Sequence, residues 1–184
     1  MLIIALIVLV AMTLAGIATM RSVDTATILA GNIGLRQASV NAADQGIQAG
    51  VNWLNANLDP TILNPNTPAN AAAGYYANVA ASDYDWYDQN NWVGAAKLNA
   101  GALDAGGNVV YYIVHRMCAA AGDPNTTSCA STLSTAALTL QGYDQTRPTD
   151  SHTTQPAIHY RVTAKAVGPR NSISIVQTMV RAFN

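Results

Sequence analysis

Glutamate is absent from this sequence: ten aspartates stand against nine lysines and arginines, and only 10% of residues are charged. Ordinary soluble domains carry roughly 25%. With a net charge of −1 there is no electrostatic lever on nucleic acid, anionic lipid or acidic substrates, and no nucleic-acid partner is expected. Net charge near zero instead favours association, which suits a subunit packed among copies of itself. Also missing are a P-loop, a nucleophile elbow, a haem-attachment sequence and a zinc motif. His115, His152 and His159 show no metal-ligand spacing and are expected at the surface or half-buried. The stretch "DYDWYD" offers Asp83, Asp85 and Asp88 as candidate Ca²⁺ ligands. It lacks the glycine turn and glutamate of a calcium loop, and a solvated acidic loop is the simpler reading. No enzyme activity and no cofactor are expected.

Cysteine is scarce as well: two residues, Cys118 and Cys129, flank "AAAGDPNTTS". Gly122, Asp123, Pro124 and Asn125 are turn formers able to bring the ends of that segment together. An even count closing a loop beside a strand-like run reads as one disulfide in an oxidising compartment. On the chain-entropy view it stabilises by up to ~3 kcal/mol. Two separate buried thiols are the alternative. A zinc site is disfavoured, because two cysteines without a matched histidine pair cannot supply four ligands.

What is present is a run of apolar residues. "MLIIALIVLVAMTLAGIATM" carries no charge before Arg21. As a helix it matches the roughly 30 Å core of a bilayer. Its large residues, from Leu2 to Val10, surround the axis and leave no polar stripe. A secretory signal would be shorter and would follow a basic segment, so a retained membrane helix is expected over residues 1–20. Arg21 at its end places residues 21–184 in the cytoplasm, whereas the cysteines place them outside. Both signals agree if a basic leader preceded Met1 and was removed. The helix then spans the inner membrane and the rest lies beyond it.

Apolar residues continue at Leu29, Ile33, Val40, Ala43, Ile47, Val51, Leu54 and Leu58, a helical spacing free of proline until Asp59-Pro60. Residues 21–58 are therefore expected to extend the helix as an amphipathic half. Gly16, Gly31, Gly34, Gly46 and Gly50 interrupt it, each costing up to ~1 kcal/mol against alanine. Close packing accounts best for Gly46 and Gly50; Gly16 serves equally as a point of unwinding. Residues 59–184 form the expected globular domain. It starts with an irregular insert (60–107) rich in Asn, Pro, Ala and Gly that contains Tyr75, Tyr76, Tyr84, Trp86, Tyr87 and Trp92 as a candidate contact patch. Strands are expected in 108–184: "NVVYYIVHRM" (108–117), "ALTLQGY" (137–143), "IHYRVTAKA" (158–166) and "SISIVQTMV" (172–180), the last two joined by "GPRN". In 158–166 the alternation puts Ile158, Tyr160, Val162 and Ala164 inward and His159, Arg161, Thr163 and Lys165 outward. The expected class is α+β, a long N-terminal helix packed on an antiparallel sheet.

The apolar start followed by "MRSVDTATILAGNIGLRQASVNAADQGIQAG", together with the ending "YRVTAKAVGPRNSISIVQTMV", resembles the type IV pilin superfamily, in particular PilX-type pilin-like proteins. The resemblance covers about a third of the chain at the N-terminus and about a tenth at the end. It implies leader cleavage by a prepilin peptidase, methylation of the new N-terminal residue, here Met1, and export by pilus assembly machinery. Subunits would pass from the inner membrane into an extracellular filament, a helical homopolymer or one shared with other pilins. It also implies that Cys118 and Cys129 bound a variable loop. The family's usual glutamate at the fifth mature residue is Ala5 here, and the helix-breaking proline near residue 22 is missing, which leaves Gly16 as the weak point. Two roles follow as expectations. One is a structural subunit of a type IV pilus or related filament. The other is a minor pilin that primes or caps the filament and binds a surface or ligand through its aromatic insert.

Overall fold

The absence of proline before Pro60 lets one helix, α1, run through Leu2–Ala56 despite its five glycines. The computed structural model describes residues 1–79, 84–132 and 157–183, so Asp83, His152 and the strand expected over 137–143 lie outside the described residues. The chain divides into two compact units, residues 1–38 and 39–184.

The first unit is helix alone. Leu2, Ile3, Leu6 and Leu9 are between 60% and 82% exposed, and large apolar side chains remain uncovered as far as Ile33. Its threonines satisfy themselves: the hydroxyls of Thr13, Thr19 and Thr27 donate to the carbonyls of Val10, Gly16 and Val23 at 2.8–2.9 Å.

The second unit begins with the remaining turns of α1. The buried stripe is Ser39, Ala42, Ala43, Gly46, Gly50 and Leu54. Ala43 and Leu54 belong to the set that the hydrophobic spacing favours, but larger members of that set do not join the stripe: Val40 stays 37% exposed and Leu58 39%, while Ile47 and Val51 are half-buried. The reason is distance to the sheet. A Cβ on Gly46 would lie 2.7 Å from Val110 Cγ1 and 2.9 Å from Ala164 Cβ, and one on Gly50 2.7 Å from Val162 Cγ1. Small residues let the helix lie close. Gly31, by contrast, has nothing within 4 Å of its Cβ position. Gly46→Leu should therefore destabilise this unit by about 1–3 kcal/mol through overpacking, read from the denaturant midpoint by tryptophan fluorescence. Gly31→Ala should leave the midpoint unchanged.

The helix stops at Ala56, two residues before the expected end, with Asn57 Nδ2 donating to Trp53 O at 2.7 Å. Asp59-Pro60 is then a start rather than only a stop. Asp59 accepts from Thr61 N at 2.8 Å and caps the short α2 (Pro60–Leu63), with Pro60 in its first turn. Thr67 caps α3 (Pro68–Ala72) in the same way.

Six strands are described: β1 (Tyr75–Tyr76), β2 (Ala96–Lys97), β3 (Val109–Arg116), β4 (Ser131–Thr132), β5 (Ala157–Val167) and β6 (Ile173–Phe183). β3 and β5 pair antiparallel from Val109↔Val167 to Arg116↔Tyr160, and β6 pairs with β5 along its whole length. β2 and β4 add antiparallel edges to β3 and β5. The sheet is not purely antiparallel, because β1 runs parallel to β3 (Tyr75↔Val114). Helix plus mixed sheet makes the class α+β. At the β5–β6 turn Arg170 and Asn171 both sit at φ 58°, the left-handed geometry that "GPRN" needs to reverse the chain.

The inner sheet face meets α1. Leu54, Leu63, Tyr75, Val114, Tyr160 and Val162 are all fully buried there, with Ala42, Ala43, Val110 and Ala166 forming a second cluster. Trp53 stacks on Tyr75 at 5.2 Å, and Tyr75 donates to Leu63 O at 2.6 Å. Burial pushes the Tyr160 hydroxyl up to about 12. On β5 the inward set is as the alternation implies.

Candidate functional site

The outward set is where the structure departs from the sequence reading. Thr163 and Lys165 are fully buried and His115 is 4% exposed; none is a surface residue. An alternating antiparallel strand normally leaves one face to water. Here Tyr84, Trp86 and Trp92 from the insert lie over that face, against His115, Arg161 and Lys165.

His115 stands at the centre of the cover. Tyr76 stacks on it at 5.2 Å, while Tyr84 and Trp86 meet it edge-on at 6.0 and 5.9 Å. Tyr84 packs on Trp86 at 4.4 Å, and Trp86 meets Trp92 at 5.8 Å. Two hydrogen bonds hold the plate: Trp92 Nε1 donates to Trp86 O at 2.8 Å, and Tyr84 OH donates to Asn91 O. Beneath it, the Arg161 guanidinium lies 5.2 Å from the Trp86 ring and Lys165 Nζ 5.2 Å from the Trp92 ring. Such cation–π contacts recover part of the lost hydration.

The face is polar but poorly partnered. His115 Nδ1, Arg161 Nε, Thr163 Oγ1 and Lys165 Nζ have no hydrogen-bond partner among the described residues. Burial, reinforced by the Arg161 charge, pushes the His115 imidazole down to about 4. Burial also lowers Lys165, offset in part by Asp88, and raises the Tyr84 phenol.

The six aromatics expected as one contact patch are thus divided. Tyr75 belongs to the inner core; Tyr76, Tyr84, Trp86 and Trp92 form the cover; Tyr87 is 72% exposed by itself. Asp85 and Asp88 turn the chain, accepting from Tyr87 N at 2.8 Å and Asn90 N at 2.9 Å. No group of three or more potential metal ligands occurs among the described residues. His159 places Nδ1 3.0 Å from Ala130 O.

Cys118 and Cys129 form a disulfide. Beside it lies Arg116, fully buried. Its Nε donates to Ala77 O at 3.0 Å, Nη1 to Asn64 Oδ1 at 2.8 Å and Nη2 to Gly122 O at 2.6 Å. Gly122 N in turn donates to Asn64 O at 2.9 Å. One guanidinium therefore joins the chain after α2, the chain after β1 and the disulfide loop. Nothing in the sequence distinguishes Arg116 from an ordinary strand-end cation.

The first unit contributes a different candidate feature. By length and composition α1 can cross a membrane, with a mean hydropathy of 2.7 over an 18-residue window. Ala5 and Gly16 lie on this exposed stretch, and Gly16 meets nothing within 4 Å. No protein-family model, no curated protein and no solved structure matches the chain.

Proposed function

We propose that this chain is a structural subunit of a type IV pilus or a related extracellular filament. It is held in the inner membrane by residues 1–20 before assembly and packed afterwards through the same helix against copies of itself. The observation that carries this reading is an apolar helix uncovered on all sides, continuous in sequence with a disulfide-bonded α+β unit. Each Leu or Ile buried contributes roughly 1.5–3 kcal/mol, so a bundle of such helices replaces lipid at little cost. The disulfide supports an oxidising compartment for residues 39–184. Repeating one heterologous contact yields an open helical polymer. In this reading the chain is not an enzyme, and its partners are pilin subunits and the assembly machinery. The minor-pilin reading draws less support, because most of the aromatic insert faces the sheet rather than solvent.

Electron cryo-microscopy of sheared surface filaments tests the proposal. The expected density shows this chain repeating along the shaft with residues 1–20 in the core. Leu9→Arg should deplete the chain from filaments, since arginine at a helix centre costs about 2.5–3.5 kcal/mol on insertion scales and a charge packed among apolar helices has no partner. A shaft built from another protein, or filaments unchanged by Leu9→Arg, rejects the proposal.

A further inference from the structure

We propose that the outer edge of β6 is an interface on which a second copy of this chain pairs, β6 against β6. Among the described residues, β6 is paired with β5 alone, along all 11 residues of Ile173–Phe183. An open edge invites another strand, and proteins that keep one open blunt it with proline, charges or a bulge. This edge is hardly blunted. "ISIVQTMVRAF" has no proline, no glycine and a single charge, Arg181, and its register with β5 is unbroken.

The ladder fixes which backbone groups the edge offers. Gly168 N donates to Ser172 O at 2.8 Å, and these two residues continue the Val167↔Ile173 register. Hydrogen-bonded pairs alternate in an antiparallel ladder, so Val176, Thr178 and Val180 direct their backbone groups to β5. Met117 N donates to His159 O at 2.9 Å, which turns the odd residues of β5 toward β3 and gives the same parity. Gln177 and Met179 therefore aim N–H and C=O away from β5.

Three features select a second copy as the occupant. First, the strand is its own complement. Antiparallel pairing centred on Thr178 uses the whole of β6 and sets Gln177 of one copy opposite Met179 of the other, both aimed outward. On the inner face it sets Val176 opposite Val180 and Thr178 opposite Thr178, pairs that favour sheet formation. Second, the single charge meets Ile175 rather than itself, so no like charges are opposed. Third, a net charge of −1 leaves two copies little long-range repulsion. The contact is isologous and closes on itself, so it joins two copies without extending a polymer. It rests on the sheet alone and stands independently of the filament reading.

The test uses the full chain in detergent micelles with one added cysteine, the native pair being held in its own disulfide. The two copies of Thr178 form a non-hydrogen-bonded pair, whose Cα atoms lie about 4.5 Å apart, a separation that a disulfide spans. Under mild oxidation Thr178→Cys should give a dimer on non-reducing gels at least about tenfold faster than Val93→Cys. Val93 is 85% exposed and outside β6, so its variant reports random collision. Val176→Cys and Val180→Cys should each stay monomeric, yet link to one another when the two are co-expressed with different tags. Gln177→Pro removes an N–H aimed outward and leaves the ladder to β5 whole. In the Thr178→Cys background it should return linking to the Val93→Cys rate, with tryptophan fluorescence reporting an intact fold. Thr178→Cys linking no faster than Val93→Cys overturns the proposal, and an edge occupied by another segment or another protein gives that result. So does linking of Val176→Cys to itself, or dimer formation that survives Gln177→Pro.

Discussion

Arg116→Ala is expected to destabilise the 39–184 unit by roughly 3–5 kcal/mol, a large part of a small domain's total stability. The guanidinium makes three hydrogen bonds of 2.6–3.0 Å and is fully buried. Truncation removes all three donors together. The carbonyls of Ala77 and Gly122 and the Asn64 amide oxygen lose their partner, at about 1–3 kcal/mol for each one that stays buried and unpaired. A cavity is left besides. Arg116→Lys should be little better, because one ammonium on a flexible stem cannot reproduce a planar fork aimed at three acceptors. Arg116→Met fills the volume and removes the cost of burying a charge, so it should fall between wild type and alanine. Guanidinium chloride unfolding followed by tryptophan fluorescence, with the disulfide kept oxidised, measures all three. A loss below about 1 kcal/mol for alanine would show that the three segments are held by other contacts. Reducing the disulfide in the Arg116→Ala background should cost less than in wild type, because the loop is then already detached from Asn64.

Acid should unfold this unit through His115. Its ordinary value is 6.5 and its folded value about 4, so between those limits the unfolded chain binds a proton that the folded chain refuses. Stability therefore rises with pH across the window. The contribution is complete above about 6.5 and lost as pH falls toward 4, amounting to roughly 3 kcal/mol. Burial is the main reason for the refusal, and the groups facing the imidazole add to it: Arg161 from β5 is cationic, and Tyr76, Tyr84 and Trp86 offer rings rather than a carboxylate. Asp59 and Asp104 titrate below their ordinary 3.8, through the Thr61 hydroxyl and the Asn108 backbone N–H respectively. Their effect therefore begins only beneath this window. His115→Gln should flatten the stability profile between pH 6.5 and 4 while leaving the drop at lower pH. A steep slope persisting in that variant would assign the acid transition to another group.

The parts of the fold legible in the sequence are those written in local pattern. The first helix follows from an uninterrupted apolar run, and β5 from its alternation. The β5–β6 turn follows from "GPRN" flanked by strand formers. The disulfide could be read because two cysteines bracket turn residues. What escaped depends on contacts between distant residues. Lys165 and Arg161 look solvent-facing on a strand until Trp86 and Trp92 are brought over them from the insert. Between Ser39 and Leu54 the stripe of α1 that meets the sheet is glycine and alanine, which a search for large apolar side chains passes over. Two residues, Tyr75 and Tyr76, are too few to announce a parallel strand, although their adjacency sends one ring to each side of the sheet. Likewise, the aromatic cover is assembled from positions 76 to 115, and only the folded chain brings them around one imidazole.

His115 and Arg116 are neighbours on β3 that point to opposite sides of the sheet, one beneath the aromatic cover and one into the three-way clamp. Sliding β3 by a single residue against β5 would exchange the two faces. A guanidinium would then lie under the rings without its carbonyls, and an imidazole would stand where three acceptors wait for donors. The pair thus works as a checksum on strand alignment, in which any odd offset is rejected twice.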